Sequence, residues 1–260
     1  MNQKLIRLVA TKTKDDEWWS SFVTAPIAIV VNYFVVDVKW LSPNRITWFS
    51  FFVAIASAGF IVSGGKNNFI VAALLIHASH VLECMDGQMA RYRQSFSRSG
   101  NFYDKATDQI QVAIWFGSVA YAAYAQSQNA LPLFLAMIGI AFYAWRGYIK
   151  YVSIYIETSD DNKYLEKLSE TVSLRESEAS DAAGSGFNIS TFLRWFVNEQ
   201  KKILLFNEGV FIFMLSLGLI TNQLLVMLWI FAISQVIIGL LRVWQQGFQL
   251  EHNLQTLIKK

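Results

Sequence analysis

The chain has 260 residues, 54% of them hydrophobic and 15% aromatic, with 22 Lys and Arg against 19 Asp and Glu, for a formal net charge of +3. The averages alone would suit a richly apolar soluble domain, but the distribution excludes one, because apolar runs long enough to cross a bilayer, about 17–25 residues, recur along the chain. The single cysteine, Cys84, excludes an intrachain disulfide.

Residues 1–14 are polar and basic, so no cleavable signal peptide with a short apolar core is expected. D-D-E-W-W then leads into the apolar stretch 22–36, which holds Pro26 and Asn32. It is too short to span, and it is predicted to lie on the inner leaflet with Trp18 and Trp19 at headgroup level. Ser42-Pro43-Asn44 reads as a helix start, a capping hydroxyl followed by proline in the first turn. Six spans are predicted from there, at 45–64, 68–90, 101–125, 130–156, 203–221 and 223–248, the first ending at Gly64-Gly65. Between the fourth and fifth spans, 158–186 is acidic and rich in Ser, Ala and Gly, a solvated loop. Residues 190–203 resemble a second interfacial helix. The predicted fold is an all-α integral membrane protein of six transmembrane helices with an N-terminal amphipathic surface helix. Its parts are a cytoplasmic N-terminus and interfacial helix at 1–40, a membrane domain at 41–250 with a cytoplasmic loop at 157–202, and a tail at 251–260.

With six spans, one set of loops contains a single basic residue, Lys66, and every Asp and Glu lies toward the other side. The positive-inside rule places that other side, with both termini, in the cytoplasm. The asymmetry favours membrane lipids and anionic cytosolic substrates over nucleic acid, which is not expected as a partner.

The chemistry concentrates at 83–108, where one apolar helix ends and the next begins: E-C-M-D-G-Q-M-A-R-Y-R-Q-S-F-S-R-S-G-N-F-Y-D-K-A-T-D. At about 100° per residue, Glu83, Asp86, Gly87, Ala90 and Arg91 share one helix face, and Gly100, Asp104 and Asp108 share a face of the next. If the two helices pack antiparallel through the turn at 92–99, four carboxylates surround one cavity near the cytoplasmic surface. Acids so placed need cations. Oxygen ligands select hard divalent ions, Mg²⁺ first with Mn²⁺ or Ca²⁺ as alternatives, and a pair of ions would suit a diphosphate. The small residues clear space for a large ligand, and Arg91 can pair with its phosphate. His77 and His80 are read as hydrogen-bonding inside the bundle, and Cys84 as a packing residue.

D-G-x2-A-R-x8-G-x3-D-x3-D is the signature of the CDP-alcohol phosphotransferases, also called CDP-alcohol phosphatidyltransferases. The chain matches it at Asp86, Gly87, Ala90, Arg91, Gly100, Asp104 and Asp108. It resembles that family also in its six predicted spans, its surface helix and S-P-N-R-I-T. The resemblance implies metal ligation by Glu83, Asp86, Asp104 and Asp108. It implies a cytidine nucleotide pocket at Gly87, Ala90, Arg91 and Gly100, and Asp108 as general base for an acceptor hydroxyl. Glu83 stands where the family's extended motif has Asp. The activity so implied is metal-dependent transfer of a substituted phosphate from a CDP-linked donor to an alcohol or lipid acceptor, with release of CMP, by a homodimer using two Mg²⁺ or Mn²⁺ ions.

Arg146, Lys150 and Arg242 are candidates for a phosphate on the acceptor; Arg194, Lys201 and Lys202 belong to the same basic set, with snorkelling to headgroups as the other reading. A cation transporter would spread its acids through the membrane depth, which this chain does not. A catalytically dead scaffold fits poorly with a motif whose one departure keeps its charge.

Overall fold

The structure, a computed structural model, describes residues 3–12, 18–161, 163–166, 168–170, 197 and 208–258. Among these residues the regular elements are helices: α1 (Gln3–Val9), a π-helical turn (Ser20–Thr24), α2 (Ala25–Val35), α3 (Pro43–Ser63), α4 (Lys66–Arg93), α5 (Arg98–Ser127), α6 (Leu131–Asp160), α7 (Glu208–Ile220) and α8 (Leu224–Ile258). Four of them, α3, α4, α6 and α8, are long and apolar enough to cross a membrane. Long helices are what such sequence can form in lipid, because each backbone group finds its partner within the segment.

Local chemistry sets the helix ends. The Ser42 side chain accepts from the Arg45 amide at 3.4 Å and Pro43 opens the first turn of α3, as its sequence predicts. Gly64 and Gly65, at φ 67° and 86°, make the turn into α4 in a backbone region that L side chains rarely enter. Gln94 closes α4 in the left-handed conformation, and Ser97 caps α5 by accepting from the Gly100 amide at 2.9 Å.

Two cores result. The larger collects the inward faces of α3 to α8 and centres on Trp115, Phe116 and Phe231. The Phe116 and Phe231 rings stack at 3.6 Å, and the Trp115 indole donates to Ser57 Oγ at 2.8 Å. Large apolar side chains such as Phe49, Phe52, Leu74, Phe134, Ile233 and Ile237 remain on the outside, the pattern of a lipid-facing surface. The smaller core joins Leu8 of α1, Ala28 and Ile29 of α2, Ile46 of α3, and Met85 and Met89 of α4. It lies beside the ends of α3 and α4 that carry the motif.

Helix α2 is therefore bound to the bundle as well as apolar. Asn32, whose polarity argued against a span, is fully buried and donates to Met85 O at 3.0 Å and Gln88 Oε1 at 3.1 Å. Trp18 and Trp19, expected at headgroup level, pack their rings on Phe213 of α7, with Trp19 also against His77. Aromatic contact inside the protein fixes them. The expected helix at 190–203 lies outside the described residues, apart from Val197.

Arg93 ties the connection between α2 and α3 to the end of α4. Its guanidinium donates to Val36 O at 2.8 and 2.5 Å, to Leu41 O at 2.6 Å and to Val38 O at 3.0 Å. Each is a charge-assisted bond to a carbonyl that would otherwise need water. Arg93→Ala is expected to cost about 2–4 kcal/mol, read as a fall in melting temperature of the detergent-solubilised protein. An unchanged melting temperature would mean that water satisfies these carbonyls equally well.

Candidate functional site

The motif residues of α4 and α5 line a single cavity of about 660 Å³. Glu83, Asp86, Gly87, Ala90, Arg91, Gly100, Asp104 and Asp108 all contribute, joined by Asn44 and Thr47 of α3, by His80, and by Lys105. A cavity between the motif helices was expected on condition that α4 and α5 pack antiparallel through the turn at 92–99. Both lie along α3, and their contact with each other is slight by comparison. Ser95, Phe96 and Ser97 of the turn between α4 and α5 also line the cavity.

Asp86 is the most buried of the four acids, at 7% exposure. It is held by Thr47, whose hydroxyl donates to its Oδ2 at 2.5 Å. Asp104 and Asp108 are more open, with side chains 34% and 24% exposed, and the Lys105 ammonium sits between them at 2.8 and 3.2 Å. A bridging ammonium offsets like-charge repulsion between two carboxylates one helical turn apart.

Glu83 is turned toward the protein interior. Gln111 donates to its Oε1 at 2.6 Å, His80 Nδ1 approaches its Oε2 at 3.4 Å, and His80 Nε2 meets Ser20 Oγ at 3.0 Å. The histidine expectation holds: His77 Nδ1 lies 2.9 Å from Ala73 O and 3.1 Å from Ser216 Oγ. His80 adds something the sequence did not suggest, since it also lines the cavity. Cys84, packed at the smaller core and 3.7 Å from Thr24 Oγ1, keeps its predicted packing role.

The two motif glycines differ in how closely their neighbours approach. A Cβ on Gly87 would come within 3.4 Å of the Arg91 guanidinium, which folds back along α4, while one on Gly100 would stand 2.6 Å from Asn44 Oδ1 and 2.8 Å from Ser97 Oγ. Gly100 thus lets α5 start against α3. Arg91 is further fixed by Thr11, whose carbonyl accepts from its Nε at 2.7 Å. Residues 3–11 thereby reach over the end of α4, with Leu8 and Thr11 buried and Arg7 placed 4.4 Å over the Tyr92 ring.

Arg146, Lys150 and Arg242 do not line this cavity. Arg146 donates to Gln235 Oε1 of α8 at 2.6 Å and lies over the Tyr143 ring, with Arg242 as an electrostatic neighbour. Arg194, Lys201 and Lys202 fall outside the described residues. Besides Asn44 and His80, the residues of the site missed by the sequence reading include Thr47, Lys105, Gln111 and Thr11. Thr47 closes the quoted S-P-N-R-I-T, one turn after its proline, and Lys105 follows a motif acid directly. Those two positions carried a signal; Gln111 and the Thr11 carbonyl carried none.

A helical membrane protein with an acid-lined polar cavity beside the ends of its apolar helices is the class that this fold and site define. Within that class, the model of the CDP-alcohol phosphatidyltransferase family matches residues 40–173, just over half of the chain, and the chain belongs to that family. It is also 32% identical over 100 residues to an uncharacterised protein of Aquifex aeolicus (strain VF5), an alignment covering 38% of this chain and 50% of that protein. The chain thus spans half the length of the curated relative it matches.

Members of the family generally depend on divalent metals. Among the described residues, no three His, Cys, Asp or Glu side chains stand close enough to hold an ion as placed. The donor set nevertheless suits a hard cation: carboxylates line one cavity, and two of them already share a positive charge.

Proposed function

We propose that this chain transfers a substituted phosphate from a CDP-linked donor to an alcohol hydroxyl, releasing CMP, in the making of phospholipids or related polar lipids. The observation that carries the reading is the single cavity lined by all seven signature positions and Glu83. Its volume falls within the range that holds a small-molecule substrate, about 300–1,000 Å³.

Gly87, Ala90 and Gly100 line the proposed pocket for the cytidine nucleotide, and Arg91 presents its guanidinium to a phosphate. Asp86, Asp104 and Asp108, with Glu83 if it swings away from Gln111, would hold Mg²⁺ or Mn²⁺, two ions per site. Bound there, the ions would neutralise the diphosphate and stabilise charge on the entering and leaving oxygens. Asp108 takes the proton of the acceptor hydroxyl. That oxygen forms a bond to the distal phosphorus, the bond from this phosphorus to the bridging oxygen breaks, and CMP departs with the electron pair.

The donor is CDP-diacylglycerol with a small polar acceptor, or a CDP-linked polar alcohol with a lipid or polyol acceptor. D-D-E-W-W, the apolar helix and S-P-N-R-I-T lean toward the second by analogy. Arg146, Lys150 and Arg242 fit an acceptor phosphate only if the substrate reaches past the cavity toward α6 and α8. The membrane placement has six spans: α5 and α7 join the four long apolar helices, and α2 lies at the inner leaflet. The domain is 41–250, with 1–40, the loop 157–202 and the tail 251–260 in the cytoplasm, and the active form is a homodimer.

The test incubates purified full-length protein with a panel of CDP-linked donors and alcohol acceptors in Mg²⁺ or Mn²⁺, identifying CMP and product by mass spectrometry. Metal-dependent CMP and one lipid product are expected. A panel in which no donor yields CMP ends the enzyme reading and leaves the transporter or scaffold.

A further inference from the structure

Lys105 is unaccounted for by the family signature, yet its ammonium lies inside the site. It contacts Asp104 at 2.8 Å and Asp108 at 3.2 Å, and lines the same cavity as Glu83 and Asp86. On α5 it stands about 100° round from Asp104 and about 60° from Asp108, so its stem folds back to place the charge between them. The side chain is 60% exposed, in contrast to buried Asp86 and to Arg91, whose Nε is bonded to the Thr11 carbonyl. An exposed, flexible lysine can leave its carboxylates without opening the core.

We propose that Lys105 is a built-in counter-cation, a positioning residue that holds Asp104 and Asp108 together in the metal-free protein and competes with a divalent ion for the same oxygens. Four carboxylates around one cavity repel each other at neutral pH, and in the empty site the ammonium offsets the pair that is most open to solvent. An incoming ion must displace it. The displaced ammonium stays on the cavity wall, so positive charge is added to the site when the anionic donor arrives. This inference rests on the proposed role of the motif acids in holding metal, but it concerns the apo state and metal affinity, not turnover.

The experiment measures Mn²⁺ binding by electron paramagnetic resonance, and melting temperature in EDTA and in saturating Mn²⁺. Full-length protein in detergent, without nucleotide, is compared with Lys105→Met and Lys105→Arg. Removing the competing charge is expected to tighten Mn²⁺ binding in Lys105→Met by about tenfold, the effect of one close charge in a partly exposed site. The melting temperature of Lys105→Met should fall in EDTA and recover in Mn²⁺, while Lys105→Arg stays near the parent in both. Unchanged or weaker Mn²⁺ binding in Lys105→Met overturns the proposal, as does an equal loss of stability with and without metal. A parent protein that binds no Mn²⁺ overturns it too. A parent that binds Mn²⁺ and shows the Lys105 effects, yet releases no CMP from any donor, supports this inference while ending the enzymatic one.

Discussion

Asp108→Asn is expected to lower CMP release by about 10³-fold, within the range that a positioned general base contributes. The substitution keeps the shape of the side chain and removes its capacity to take a proton. Asp108 is on α5 with its carboxylate in the cavity, 24% exposed, where an acceptor hydroxyl can approach from the open side. Gly87, Ala90 and Arg91, the residues proposed for the nucleotide, belong to α4 and are not touched by the change. Equilibrium dialysis with a labelled CDP-donor should therefore show retention within about threefold of the parent, less than 1 kcal/mol. Normal turnover by a folded Asp108→Asn protein would remove the base assignment, and equal loss of binding and turnover would make Asp108 a ligand-holding residue only.

Asp86→Asn should separate stability from activity in opposite directions. A buried carboxylate beside two others is expensive when no cation is bound. Asn at 86 can still accept the Thr47 hydroxyl through its amide oxygen, so the local hydrogen bond survives while one negative charge is removed. The melting temperature in EDTA is expected to rise by about 2–4 °C, the shift for roughly 1 kcal/mol in a chain of this size. Turnover with saturating metal should fall by about 10³-fold, since the proposed carboxylate ligand would become a weaker neutral donor. Functional sites commonly trade stability in this way. A variant that is less stable in EDTA and no less active would show Asp86 to be a structural acid held by Thr47.

Much of the site was legible because its logic is local. Helical period puts Glu83, Asp86, Gly87, Ala90 and Arg91 on one face whatever the tertiary structure, and the structure sends all five to one cavity. The capping of α3 by Ser42 and of α5 by Ser97 follows equally from short-range chemistry, although only the first was anticipated. What escaped sequence reasoning depends on long-range placement. Periodicity cannot reveal that α3 would carry both α4 and α5. Nor can it place the Thr11 carbonyl 80 positions upstream of the arginine it orients. The ring contacts of Trp18 and Trp19 were out of reach for a related reason: interfacial lipid and a neighbouring aromatic helix both attract an indole, and composition does not choose between them. Glu83 lies between the two cases. Its face was read correctly, but its rotamer is settled by Gln111, a turn deeper on another helix.

The bond from Arg91 to the Thr11 carbonyl has a practical consequence for how the protein is handled. A fusion partner or affinity tag that pulls residues 3–11 off the end of α4 would release the guanidinium that the proposed function assigns to the donor's phosphate. The transmembrane bundle, whose larger core draws nothing from that segment, would remain intact. Such a preparation would look well folded by circular dichroism and by size, yet saturate with donor only at raised concentration. A weak apparent substrate affinity could then be traced to the placement of the tag and not to the choice of substrate.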